Sequence, residues 1–172
     1  MNKTVLTWSL GAVAVYFSVL ILSGLARYLR FRRVRPTAIV TWPGPRPAYV
    51  LLFLGALALP VAVLNWDHAF HEVYSQLSIA LYFIGVLPLL ARIRMGFYGE
   101  GIWTEGGFLP YGQIRRLAFR ESPSLVLVLL PRGTEAAVRL PVPPAEYGAV
   151  RRVLGDKIRS HSLNLEERIL GL

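Results

Sequence analysis

Three stretches without a charged side chain constrain this chain more than any other feature. They cover residues 4–26, 47–66 and 73–91, or 23, 20 and 19 positions. A helix needs roughly 20 consecutive apolar residues to cross the hydrocarbon core of a bilayer. Only internally hydrogen-bonded backbone is stable there, so each stretch is read as a helix. The sequence therefore predicts three transmembrane helices. The first is read as a retained span, because its apolar run exceeds the roughly 7–15 residues of a cleaved signal peptide and its positive charges follow the run. Charged residues make up 17% of the chain, against about 25% in soluble domains, as the three stretches require.

The arginines set the orientation. Residues 27–46 hold Arg27, Arg30, Arg32, Arg33, Arg35 and Arg46 and no acid, whereas the short link DHAFHE between the second and third stretches has Asp67 and Glu72 and no Lys or Arg. By the positive-inside rule the first link and the C-terminal part face the cytoplasm, and the N-terminus lies outside. This accounts for much of the net charge of +9 without nucleic acid. Arg27, Arg30, Arg32, Arg33 and Arg35 also form a candidate contact for anionic headgroups or an acidic partner, since juxtamembrane cations gain about 1 kcal/mol each near an anionic leaflet. The plainer reading is that every cytoplasmic link looks like this. TWPGPRP is read as an extended connection into the second span.

From about Met95 the pattern changes to short apolar runs with alternation and turn signals, the mark of a sheet. GFYGEGIWTEGGFLPY reads as two strands around Glu105-Gly106-Gly107. QIRRLAFRE follows, then the fully apolar LVLVLL as a central strand, then AAVRLPV. PPAEYGAVRRVLGDKIRSH carries Tyr147, Val150, Leu154 and Ile158 at helical spacing, an amphipathic helix to close the sheet. The domain division expected is 1–94 for the membrane part, 95–160 for the module and 161–172 for a tail.

Candidate chemistry is sparse. Gly99 and Gly101 give G-x-G, but the third position of a dinucleotide fingerprint is Thr104, and hairpins rather than a helix follow. His68 and His71, beside Asp67 and Glu72, are the weak candidates for a metal or haem, but they lack a third nitrogen ligand nearby. The chain has no cysteine, which excludes disulfides, thiolate nucleophiles and iron–sulfur ligation. No predicted span contains an ionisable residue other than tyrosine, against a pump or proton-coupled transporter. No nucleophile is paired with a base. Neither an enzyme nor a cofactor is expected. Gly11, Ala12, Ala14, Ser18, Gly55, Ala56 and Ala58 are small residues suited to helix contacts, and Pro60 and Pro88 are expected to kink their spans.

The run Gly101-Ile102, then Gly107-Phe108-Leu109-Pro110-Tyr111-Gly112-Gln113-Ile114, resembles the bacterial pleckstrin-homology-like modules attached to membrane helices. There, a strand ending in G-I leads through a hairpin to a hydrophobic-P-aromatic-x-x-I segment, and further strands and a C-terminal helix complete the module. The likeness covers about residues 95–160, few for seven strands, which leaves room for a reduced or split version. Eukaryotic namesakes often bind phosphoinositides, but no basic loop cluster carries that over; Arg115, Arg116, Arg120 and Arg132 are the nearest group. Some similar three-span proteins help assemble membrane complexes. The expectation is a bacterial inner-membrane protein with three spans and a small cytoplasmic α+β module. Its expected role is that of a non-catalytic accessory or assembly subunit of a larger membrane complex. The alternatives are an anionic-lipid-binding module using residues 27–46, or a haem or metal protein using His68 and His71.

Overall fold

A computed structural model describes residues 3–44, 49–64, 70–120, 125–134 and 136–163. Two compact units emerge, Met1–Arg30 with Pro45–Ile93, and Phe31–Gly44 with Arg94–Leu172.

The first unit is helical. Helix α1 runs Lys3–Val34 and α2 Tyr49–Leu64; α3, Phe70–Ala80, continues through a π-helical segment, Leu81–Val86, into α4, Leu87–Ala91. Among the described residues two helical stretches are long and apolar enough to cross a membrane: Trp8–Thr37, with mean hydropathy 2.0, and Val73–Ala91, with 1.7; the apolar part of α2, Leu52–Leu64, is shorter. Small residues bring the helices together. A methyl group on Gly24 would meet Val86 at 2.6 Å, and one on Gly55 would meet Phe83 Cβ at 2.6 Å. Of the small residues singled out in the sequence, Ala14 and Gly55 are buried, while Gly11 has open space around it and Ala12 and Ala56 are exposed. Ser18 Oγ donates to the Ala14 carbonyl at 2.8 Å and lies 3.1 Å from the Tyr74 hydroxyl.

The disturbance expected at Pro88 takes the form of the π-helical segment. Proline has no N–H to give and its ring crowds the carbonyl four residues back. The helix widens just before it, and the Leu87 N–H bonds to the Tyr82 carbonyl, five residues back.

Two expectations about residues 27–46 are corrected. The arginine-rich stretch is not a loop: α1 continues unbroken to Val34, since arginine is a good helix former and cations suit a helix C-terminus. Nor is TWPGPRP, residues 41–47, a mere connection into the second span: its first three residues belong to a strand, and residues 45–47 lie outside the described residues. After a short 3-10 turn, Arg35–Thr37, comes that strand, β1, Ala38–Pro43, which belongs with the C-terminal part of the chain. The module therefore draws on both sides of the helices α2 to α4.

Among the described residues that second unit holds seven antiparallel strands. A four-stranded sheet runs in the order β1, β2 (Arg94–Tyr98), β3 (Gly101–Thr104), β4 (Gly107–Pro110). A three-stranded sheet has β5 (Ile114–Arg120), β6 (Val126–Pro131) and β7 (Val138–Pro141), with the apolar β6 central as its sequence implied. Trp42 faces Met95 and Pro43 faces Arg94, so β1 and β2 form a hairpin whose connection is the whole run of α2 to α4. A register shift between Ala38 and Val40 leaves Ile39 as an extra residue.

One core joins the two sheets: Trp42, Phe97, Ile102, Ile114, Leu127, Leu129 and Leu140 pack with Val150 and Leu154 of α5, Tyr147–Arg159. The alternation of β2 and β3 sends Phe97 and Ile102 into that core and Tyr98 and Trp103 to the opposite face, where Phe31 of α1 meets them. Glycine is required where the strands crowd. Gly96, at φ +135°, faces the Val40 carbonyl oxygen and has Thr41 Cα 2.8 Å from where its Cβ would stand; at Gly101 a Cβ would collide with the Leu109 carbonyl oxygen and come within 2.9 Å of Pro110 Cα.

Candidate interaction surfaces

A polar constellation within the second unit begins at Phe31. Phe31, 4% exposed, presents its ring edge-on to Trp103 at 5.3 Å and to Tyr98 at 6.3 Å. The chain then turns through Arg35–Thr37, and the Thr37 hydroxyl donates back to the Val34 carbonyl at 2.8 Å. The Gly99 N–H reaches the Thr37 carbonyl at 2.8 Å. On the other side, Lys157 of α5 donates to the Gly99 carbonyl at 2.8 Å and lies 5.1 Å from the centre of the Tyr111 ring. Tyr111 donates to the Tyr98 carbonyl at 2.8 Å, and Tyr98 to the Arg94 carbonyl at 2.8 Å. The β2–β3 turn is thus held from one side by the segment after α1 and from the other by α5.

Electrostatics follow from burial. The Tyr98 hydroxyl is pushed up to about 12 by desolvation, a shift moderated by Arg94 and Arg35. Burial also pushes the Tyr111 hydroxyl above the usual tyrosine range. Both stay neutral donors at ordinary pH. The indole N–H of Trp103, fully buried among rings, has no hydrogen-bond partner among the described residues.

The predicted contact arginines are placed along α1 and just beyond it. Arg30, Arg32, Arg33 and Arg35 are exposed and Arg27 is half-buried. Because Phe31 is fixed in the aromatic cluster, its neighbours on a helix that turns about 100° per residue are held outward. Arg115 and Arg120 on β5, and Arg132 after β6, are exposed as well, with Arg116 half-buried. His68 lies outside the described residues. His71 falls in the first turn of α3, but its side chain is likewise outside them. Among the described residues no group of three or more His, Cys, Asp or Glu is placed to hold a metal. The third histidine, His161, is exposed just after α5, with Nδ1 3.1 Å from the Arg159 carbonyl. An apolar cleft of about 430 Å³ lies beside the π-helical segment, lined by Leu59, Leu77, Ala80, Leu81, Ile84 and Gly85.

Sequence reasoning missed Phe31, Thr37 and Lys157. A signal existed for the last: it is one of only two lysines in a chain with 19 Lys and Arg. A compact ammonium can serve one carbonyl and one ring face together, where a planar guanidinium needs a wider fork of acceptors. Comparison with models of protein families, with curated proteins and with solved structures found no match.

Proposed function

We propose that this chain is a non-catalytic accessory or assembly subunit of a larger bacterial inner-membrane complex. In this reading it crosses the membrane three times, with its N-terminus outside, and docks a pleckstrin-homology-like module on the cytoplasmic face. The observation that carries the docking role is how little of α1 its own chain covers. Only 11% of its most apolar part is buried, and Trp8, Val15, Tyr16, Val19, Leu22 and Leu29 stand exposed along it. That face is available to other helices, with lipid filling what they leave.

Three spans are supported by a parity argument. β1 and β2 are hydrogen-bonded in one sheet, so residues 43 and 94 lie on the same side of any membrane. The chain between them crosses an even number of times. Since Val73–Ala91 is long enough to cross, the stretch containing α2 supplies the return crossing. Seven strands in sheets of four and three with a closing helix support the family reading, and the strand taken from before α2 fits its split form. The non-catalytic part is supported by the use made of polar groups: Tyr98, Thr104, Tyr111 and Lys157 each donate to a backbone carbonyl.

Gentle detergent extraction, a native gel and mass spectrometry of the co-migrating species test the proposal. Migration with a large complex at fixed stoichiometry is expected. Migration alone, carrying only lipid, overturns it.

A further inference from the structure

We infer that Arg32, Arg33 and Arg35 form a fixed clamp for the phosphodiester headgroups of anionic lipids, built by the way the end of α1 is seated in the module. This rests on α1 crossing the bilayer but not on the accessory-subunit reading.

Three observations converge on these residues. The first is distance. From Ala26, the last residue of the uncharged stretch, to Arg32 and Arg33 the helix rises roughly 10 Å at about 1.5 Å per residue. The headgroup layer is roughly 5–8 Å deep on each side of the hydrocarbon core. Long cationic side chains at that height reach back to the phosphates by snorkelling. The second is orientation. α1 stays helical to Val34 and Phe31 is locked against Trp103 and Tyr98, so Arg32 and Arg33 cannot rotate into the module. Arg35 is held just beyond them by the short turn in which Thr37 bonds back to Val34. The third is vacancy of charge: Arg32, Arg33 and Arg35 are exposed and have no ion-pair partner among the described residues. A fixed array loses less conformational entropy on binding than three arginines in a loop.

A lipid phosphate is favoured over an acidic protein segment by this height above the apolar stretch. The exposed arginines of α5, Arg151, Arg152 and Arg159, make the control: they are equal in number, with Arg159 paired to Asp156 at 3.5 Å, but follow no apolar stretch.

The test uses the full-length protein purified in a neutral detergent. Phosphatidylglycerol or phosphatidylcholine is titrated in, and bound lipids are counted by native mass spectrometry. Arg32→Gln/Arg33→Gln/Arg35→Gln is compared with Arg151→Gln/Arg152→Gln/Arg159→Gln; glutamine keeps the helices, and unchanged near-UV circular dichroism checks folding. The wild type should retain phosphatidylglycerol preferentially. The first variant should bind it on the order of 100-fold more weakly, and the α5 variant should match the wild type. Equal loss in both variants means diffuse charge attraction and overturns the clamp, as does unchanged binding in the first. Displacement by inorganic phosphate at equal concentration identifies a free anion site instead and overturns the lipid assignment. If the first variant keeps its lipid but loses a co-migrating protein, the arginines serve a protein partner and the clamp is wrong.

Discussion

Residues 94–163 should not fold by themselves, although the sequence places the module within about residues 95–160. Cutting before β2 removes β1 and the end of α1, and with them Trp42, 5% exposed, and Phe31, 4% exposed. Trp42 packs on Phe97 at a ring separation of 6.4 Å, inside the shared core. Truncating a buried Phe or Trp to Ala costs about 3–5 kcal/mol. Losing both therefore removes about 6–10 kcal/mol, comparable with the whole stability of a small domain, about 5–15 kcal/mol. The hairpin register offers the rescue. Pro43 lies opposite Arg94, so residues 44–93 can be replaced by a two-residue Asn-Gly turn joining 31–43 to 94–163. Near-UV circular dichroism and urea titration compare the two soluble proteins. The rejoined version should melt cooperatively, and the bare 94–163 fragment should show no fixed aromatic signal. Cooperative unfolding of the bare fragment at similar stability would refute the claim that β1 is integral to the module.

Four further outcomes follow from local geometry, to be read on the rejoined soluble module or, if that fails to fold, on the full chain in detergent. Gly101→Ala should destabilise by about 1–3 kcal/mol, because its methyl would press on the β4 backbone; a neutral result by urea titration contradicts the crowding seen at Leu109 and Pro110. Gly155→Ala, inside α5 with only the Arg159 guanidinium 3.8 Å from the new methyl, should stabilise by about 1 kcal/mol in the same titration. Lys157→Met should cost about 1.5–3 kcal/mol and speed hydrogen exchange in the β2–β3 turn, as the Gly99 carbonyl loses its charged donor. Stability should be level up to about pH 10 and then fall towards pH 12. The raised Tyr98 pKa means that the unfolded chain releases that proton first, so rising pH favours unfolding in that window; a melting temperature unchanged from pH 10 to 12 contradicts it.

Much of this architecture is legible in the residues themselves. The uncharged stretches mark the apolar helices, the all-apolar β6 announces a central strand, and Val150 and Leu154 mark the face of α5 that closes the core. What escaped the sequence is non-local. Ala38-Ile39-Val40-Thr41-Trp42 has the β-branched and aromatic composition of a strand, but its partner, β2, lies beyond three helical segments, and no local turn signal connects them. For the same reason Phe31 reads as one aromatic among arginines, when its ring belongs to the cluster with Tyr98 and Trp103. Pro88 announces a disturbed helix, yet the choice of a π-helical widening over a sharp kink belongs to the packing around it.

In the proposed topology the chain returns to the module's side of the membrane after an even number of crossings between β1 and β2. The natural chain has no cysteine, so single thiols can be placed at will. Ala69→Cys, in the link between the second and third apolar stretches, and Thr134→Cys, in the exposed turn after β6, should be labelled in intact cells with a membrane-impermeant maleimide. The account predicts that the thiol at position 69 reacts from outside and the thiol at position 134 only after permeabilisation. Equal labelling of both from one side would mean that α2 to α4 do not cross the bilayer as a pair, and the three-span account would fall.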